Sequence, residues 1–199
     1  KSNMIRVYPD ASRISSSNFN PCDFWVNGVQ MAAMNIQSPD DFAIINRIKF
    51  LENGGNQSGY LLKPSSLKNS KTINFKTYRI DVYSGQIIDK TLLDENDFLE
   101  IYVIGPYEEE FNQKYKLNFS SNFIHPAIIK KFKDQIEFNI RFPDFSFFVF
   151  KIRNSSSKMK MIGAIPVCCC RLGIRVLELF DQDFFMSKYS YLLLRIAIK

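Results

Sequence analysis

Arg6 and Tyr8 stand two positions apart in the segment Met4-Ile5-Arg6-Val7-Tyr8-Pro9. In extended backbone, side chains i and i+2 share a face, so a guanidinium and a phenol ring can converge on one ligand. The planar fork of arginine matches phosphate oxygens. The flat face of a tyrosine suits the C–H side of a saturated ring. Together they suit a phosphorylated, sugar-like ring. The bland alternative makes Arg6 a structural ion-pair partner and Tyr8 a core aromatic. Proton-transfer groups are scarce: the chain has 1 His, His125, placed before Pro126 in a polar stretch and read as a loop residue.

The 4 Cys are Cys22 and the run Cys168-Cys169-Cys170. Neighbours in one strand point to opposite faces and rarely pair. With no paired CxxC motifs and a single His, a usual zinc set cannot be assembled. All four are expected to be reduced thiols of a cytosolic protein, and no redox role is read from them. Lys151, Arg153, Lys158 and Lys160 fall in a stretch, 151–160, without an acidic residue. They suit an anionic lipid surface, or form an ordinary solvated loop. Lys130, Lys131 and Lys133 carry the same two readings.

These residues need elements to hold them. A chain of 199 residues fits one large or two small domains. Its 46% hydrophobic content, with 19 Phe and 9 Tyr, is ample for packed cores. No apolar run approaches the ~18 residues of a spanning helix. The net charge of +6 is mild and spread along the chain. That argues against a dedicated nucleic-acid surface and is compatible with docking on an anionic membrane face. The first residue is Lys1, and a longer parent protein with further strands upstream is expected.

Ile5 to Tyr8 reads as a short strand ended by Pro9, and residues 10–28 as a long Ser/Asn/Pro/Gly-rich loop. Val29 to Ile36 reads as a buried strand of a parallel sheet covered on both sides. Pro39-Asp40-Asp41 opens a helix with apolar Phe42, Ile45, Ile48 and Leu51 at helical spacing, and Asn53-Gly54-Gly55 stops it. This is an α/β pattern. Residues 65–76 form a polar link, with a boundary near residue 72. Beyond it, strands are expected at Thr77–Tyr83, Phe98–Val103, Ile136–Ile140, Phe145–Ile152, Ile162–Cys169, Val176–Phe180 and Tyr191–Ile198. Short strands at near-regular spacing predict an antiparallel sandwich.

The block MIRVYP, RISSSNFNP, FWVNGVQMAAMNIQ, NGG and GYLLKP, in that order over residues 4–64, resembles the end of the Y half of eukaryotic phosphoinositide-specific phospholipase C. RIDVYSGQII (79–88), NDFLEIYVIG (96–105), IEFNIRFPDFSFFVFKI (136–152), SSSKMKMIGAIPV (155–167) and YLLLRIAI (191–198) resemble the C2 domain that follows it. The resemblance implies a multi-domain chain: residues 1–71 are the terminal strands and helix of an incomplete TIM-type barrel, and 72–199 an all-β antiparallel C2-type sandwich. It implies that Arg6 contacts a ring phosphate of the headgroup and that Tyr8 packs on the ring. Arg13, Ser16, Ser17, Asn18 and Trp25 match the family and are assigned to loop shape and packing.

By the same resemblance the whole enzyme hydrolyses phosphatidylinositol 4,5-bisphosphate to diacylglycerol and inositol trisphosphate. Its two His and the Ca2+ ligands lie in or near the X half, so no catalytic residue is expected in this chain and the chain alone is expected to be inactive. Asn96, Ile152, Asn154 and Lys160 stand at aspartate positions of the C2 calcium loops, so no Ca2+ is expected there. The implied partners are the X half and an anionic phosphoinositide membrane, with no nucleic acid. The implied location is cytoplasmic, peripheral on the inner face of membranes. The alternative is a catalytically silent relative that keeps the fold as a lipid-binding or scaffold protein.

Overall fold

Asp40 starts the longest helix. Its carboxylate accepts hydrogen bonds from the Phe42 and Ala43 amides at 3.1 and 2.9 Å, an N-cap that stabilises a helix by about 1 kcal/mol. In this computed structural model, which describes residues 3–38, 40–54, 59–67, 75–87, 96–107, 113–118, 136–181 and 186–199, Cys22–Trp25 forms a single turn, α1, and Asp41–Lys49 forms α2. Arg47 and Lys49 in the last turn complement the helix dipole. The chain tightens into a 3₁₀ turn, Phe50–Asn53, and leaves through Gly54 at φ +76°. The expected stop is therefore where Asn53-Gly54 placed it. Ile44, Ile45 and Ile48 are buried, with Phe42 and Leu51 packed at the margin.

Ahead of α2 lie β1 (Arg6–Val7) and β2 (Met31–Ala32), which pair in parallel. The expected strand Val29–Ile36 is therefore shorter than its composition suggests and is not buried on both faces: Met31 is 40% and Ile36 86% exposed. Two parallel strands form the whole of this sheet among the described residues, and two strands cannot cover both of their own faces. The segment 10–28 is largely loop, but α1 interrupts it and seats Trp25 against Phe147, ring centroids 6.2 Å apart.

The rest is antiparallel: β3 (Lys76–Gln86), β4 (Phe98–Ile104), β5 (Lys114–Asn118), β6 (Ile136–Ile140), β7 (Phe147–Arg153), β8 (Met159–Pro166), β9 (Gly173–Asp181) and β10 (Met186–Ile198). Their order is β5-β4-β7-β8-β9-β10-β3-β6. β8 and β9 share only the pairs Met161–Asp181 and Ile162–Phe180, and the sheet folds over at this seam. Phe148 of β7 thereby meets Tyr78 of β3 at 5.6 Å and Phe138 of β6 at 5.5 Å, although these strands lie far apart in the order. The two leaves make a sandwich around Ile80, Ile101, Phe138, Phe148, Phe150, Leu179 and Leu194.

β5 is absent from the sequence expectation. It is an edge strand whose alternation is weak, with only Leu117 buried. Phe145 belongs to a 3₁₀ turn, Pro143–Phe145, rather than to β7, and Val167–Cys169 likewise forms a 3₁₀ turn after β8. The boundary expected near residue 72 falls outside the described residues.

β4 and β7 are covered on both faces. Ile101, Val103, Phe148 and Phe150 enter the sandwich core. Tyr102, Ile104, Phe147 and Val149 face the other way and join Cys22, Trp25, Ile44, Ile45 and Ile48 in a second cluster. That double burial explains the near-continuous apolar run of β7. No helix among the described residues is long and apolar enough to cross a membrane.

Candidate functional site

β1 brings Arg6 and Tyr8 onto one side, as residues two apart on an extended segment must be. The Arg6 guanidinium carbon lies 4.6 Å from the centre of the Tyr8 ring, within cation–π range. Both side chains are exposed, Tyr8 by 61%. Tyr8 is thus not a core aromatic, and the pair presents a cation and a ring side by side to solvent at a strand's C-terminal end.

The loop beyond this pair is held by Asn18, 2% exposed. Its backbone N–H donates to Asp40 Oδ2 at 2.8 Å. Its side-chain amide donates to the Asn35 and Ser38 carbonyls at 3.2 and 3.1 Å and to Asp40 Oδ1 at 3.1 Å. Its side-chain oxygen accepts from the Asn35 amide at 2.7 Å. Arg13 donates to the Asn18 carbonyl at 2.9 Å and to Ser17 Oγ at 3.3 Å, and Asn35 donates to the Ser16 carbonyl at 3.1 Å. One buried amide thus ties the loop after β1, the loop after β2 and the start of α2. Arg13, Ser16, Ser17 and Asn18 shape this loop. Lys63 closes residues 59–67 onto the same unit by donating to the Gly28 carbonyl at 3.0 Å.

The basic stretch 151–160 is not an open cationic surface. Lys151 is 4% exposed and donates to Asp41 of α2, whose other oxygen accepts from the Tyr102 hydroxyl at 2.5 Å. Burial pulls the Lys151 ammonium below its ordinary pKa despite the Asp41 charge. Arg153 pairs with Glu100 at 2.7 Å and also donates to the Ser157 carbonyl at 2.7 Å. Lys160 pairs at 2.8 Å with Asp97, whose side chain is fully buried. Lys158 is exposed at the loop tip. The stretch is thus neither an ordinary solvated loop nor a row of four outward cations: Lys151, Arg153 and Lys160 are turned inward onto carboxylates that are distant in sequence, so the acid-free stretch looked unpaired when read alone.

The same pairs test calcium at this end of the sandwich. The Asp97 carboxylate already carries the Lys160 ammonium, Ile152 is in the core, and Asn154 Oδ1 accepts from the Lys158 amide at 2.8 Å. This donor set does not fit a hard cation that needs several free oxygen ligands. His125 and the Lys130, Lys131 and Lys133 group lie outside the described residues. The joint built by Asp41, Tyr102 and Lys151 was not read from sequence; its only local signal is the paired acid Asp40-Asp41, which a helix start already explained.

An α/β strand–loop–strand–helix unit packed on an eight-stranded antiparallel sandwich defines the class: the edge of an α/β barrel joined to a β-sandwich. Residues 1–66 match the family model described as Phosphatidylinositol-specific phospholipase C, Y domain. The chain is 31% identical over 195 residues to 1-phosphatidylinositol 4,5-bisphosphate phosphodiesterase zeta-1 of Homo sapiens, covering 90% of this chain and 31% of the relative. It is 28% identical over 196 residues to the epsilon-1 phosphodiesterase of Caenorhabditis elegans, covering 90% and 10%. The solved structure of L. pealei PLC21 superposes with a TM-score of 0.77 at 22% identity, over 98% of this chain and 26% of that one. The chain is thus similar over its first third to the Y domain of that family and over nine-tenths of its length to phosphatidylinositol 4,5-bisphosphate phosphodiesterases, and it shares the fold of the solved relative. It spans about a third or less of the curated relatives it matches.

Proposed function

We propose that this chain is the C-terminal part of a phosphoinositide phospholipase C that hydrolyses phosphatidylinositol 4,5-bisphosphate to diacylglycerol and inositol trisphosphate. Residues 1–71 complete the barrel of an X half, and residues 72–199 form a sandwich that docks beside it. Arg6 holds a ring phosphate of the headgroup and Tyr8 lies against the ring. The observation that carries the reading is the Arg6–Tyr8 pair, exposed together at the C-terminal end of a parallel strand, where barrel enzymes build their sites. The acid–base groups and the Ca2+, which would supply charge to the developing phosphate, belong to the X half. The working location is the cytoplasmic face of an anionic phosphoinositide membrane.

Headgroup release by the full-length protein tests this. Arg6→Ala is expected to lower turnover about tenfold or more, since a hydrogen bond to a charged group contributes roughly 1.5–3 kcal/mol. Wild-type rates in that variant would overturn the assignment. The changed calcium-loop positions, with Ile152 in the core and Asn154 and Asp97 engaged within the protein, favour a second reading, a catalytically silent relative that keeps the fold as a lipid-binding or scaffold protein. Headgroup binding without any release by the full-length protein would select it.

A further inference from the structure

Leu177 and Leu179 of β9 point into the sandwich core. Strand alternation therefore turns Ile174 and Val176 outward together. Each is 59% exposed, and Leu172, just before the strand, is 50% exposed. β8 pairs with β9 only at Asp181 and Phe180. Among the described residues, the start of β9 thus has β10 on one side and an open edge on the other. There the Arg175 guanidinium donates to the Leu172 and Ile174 carbonyls at 2.6 and 2.7 Å.

Exposed Arg171, Arg175 and Arg195 surround this aliphatic strip. Arg195 is the register partner of Ile174 on β10, and antiparallel partners share a face. The acids nearby are Glu178, on the outer face of β9, and Asp81, the β3 partner of Arg195. Asp81 already takes the Arg79 guanidinium at 3.0 Å. We propose that this patch is a docking site for an extended segment of a partner protein that carries aliphatic and acidic side chains and adds to β9 as a further strand.

An open strand edge with exposed aliphatic side chains at alternate positions suits strand addition. The incoming N–H groups take the carbonyls that Arg175 now serves, and its guanidinium is released to a carboxylate. The excess of arginine selects an acidic segment. It also sets the patch against a second copy of this chain, whose own β9 would bring arginine to arginine. Position sets it apart from a headgroup-bearing membrane. α2 starts at Asp40, which is tied to the loops beyond β1 and β2, on the side of Arg6 and Tyr8. It ends with Lys49 on the Asp144 carbonyl at 2.9 Å. Nearby, the Val167 N–H donates to the Ser146 carbonyl at 2.9 Å, so the turn that leads into β9 lies at this far end. The patch shares no residue with the Arg6–Tyr8 pair, and its occupant does not depend on headgroup binding.

The test follows binding of a fluorescein-labelled peptide of alternating glutamate and valine to the full-length protein by anisotropy. Lysine–valine and glutamate–serine peptides are the controls, and hydroxyl-radical footprinting reads Ile174 and Val176. The glutamate–valine peptide is expected to bind and to protect both side chains, with each control at least about tenfold weaker. Val176→Asp and Arg195→Glu, both at exposed positions, are each expected to weaken binding about tenfold. The proposal is overturned by equal binding of a control, by no binding of the glutamate–valine peptide, or by binding that neither variant changes. Protection of Ile174 and Val176 in the free full-length protein would assign the patch to another part of the parent, and so overturn it. Self-association, or attachment to phosphatidylserine vesicles, that is lost in Val176→Asp would likewise replace the partner segment with a second copy or a membrane.

Discussion

Asp41 on the first turn of α2 accepts a 2.5 Å hydrogen bond from the hydroxyl of Tyr102 on β4, a residue 61 positions away. The other Asp41 oxygen takes the buried Lys151 ammonium. A helix of the α/β unit is thereby keyed to the second face of the sandwich at a defined rotation, above an apolar contact that by itself would tolerate sliding.

Removing the carboxylate should show this. Asp41→Asn leaves Lys151 buried without its counter-charge. Breaking a buried pair costs about 3–5 kcal/mol, and the 31% exposure of the Asp41 side chain reduces that to about 2 kcal/mol. Urea unfolding checks the loss. Lys151→Met in the same background should recover part of it, because the stranded charge is gone.

Tyr102 predicts an alkaline effect. Burial first, and the Asp41 charge second, raise its pKa well above the ordinary tyrosine range. The folded state therefore keeps its proton while the unfolded chain loses it above pH ~10. The unfolded state binds fewer protons there, so stability is fully present below pH ~10 and falls by about 1.4 kcal/mol per pH unit above it. Lys151, with a lowered pKa, contributes the opposite slope below pH ~10.4, where the unfolded chain holds the extra proton. Tyr102→Phe should flatten the fall above pH 10 in thermal melts; an unchanged slope would count against the buried-phenol account.

Asn18→Ala removes the amide that joins three segments and leaves the Asn35 N–H and two carbonyls without that partner. A buried group so stranded costs about 1–3 kcal/mol. Denaturation should show a loss near 2–3 kcal/mol, and amide exchange should speed up at Asn35 and at the start of α2.

Two glycines should fail for different reasons. Gly54 has φ +76° and open space around its missing Cβ, so Gly54→Ala costs about 1–2 kcal/mol by conformation alone, and Gly54→Asn less. A Cβ on Gly163 would sit 3.0 Å from the Glu178 carbonyl and from Leu177. Gly163→Ala therefore forces β8 from β9 and costs about 1–3 kcal/mol by crowding. The order of Asn and Ala stabilities at position 54, read from melting temperatures, separates the two causes.

Local chemistry made much of this protein legible in one dimension. The N-cap at Asp40, the glycine stop at Gly54, the alternation in β3 and the shared face of Leu99, Ile101 and Val103 in β4 are nearest-neighbour effects, so residue order settles them. The Arg6–Tyr8 convergence follows from strand geometry alone. The long-range pairings were decided by the tertiary fold. Only folding shows that Lys151, Arg153 and Lys160 find Asp41, Glu100 and Asp97, because those acids are supplied from other elements. The exposure of β2 and the double burial of β7 have the same origin. Burial depends on what lies across each face, and a strand's own residues cannot state that.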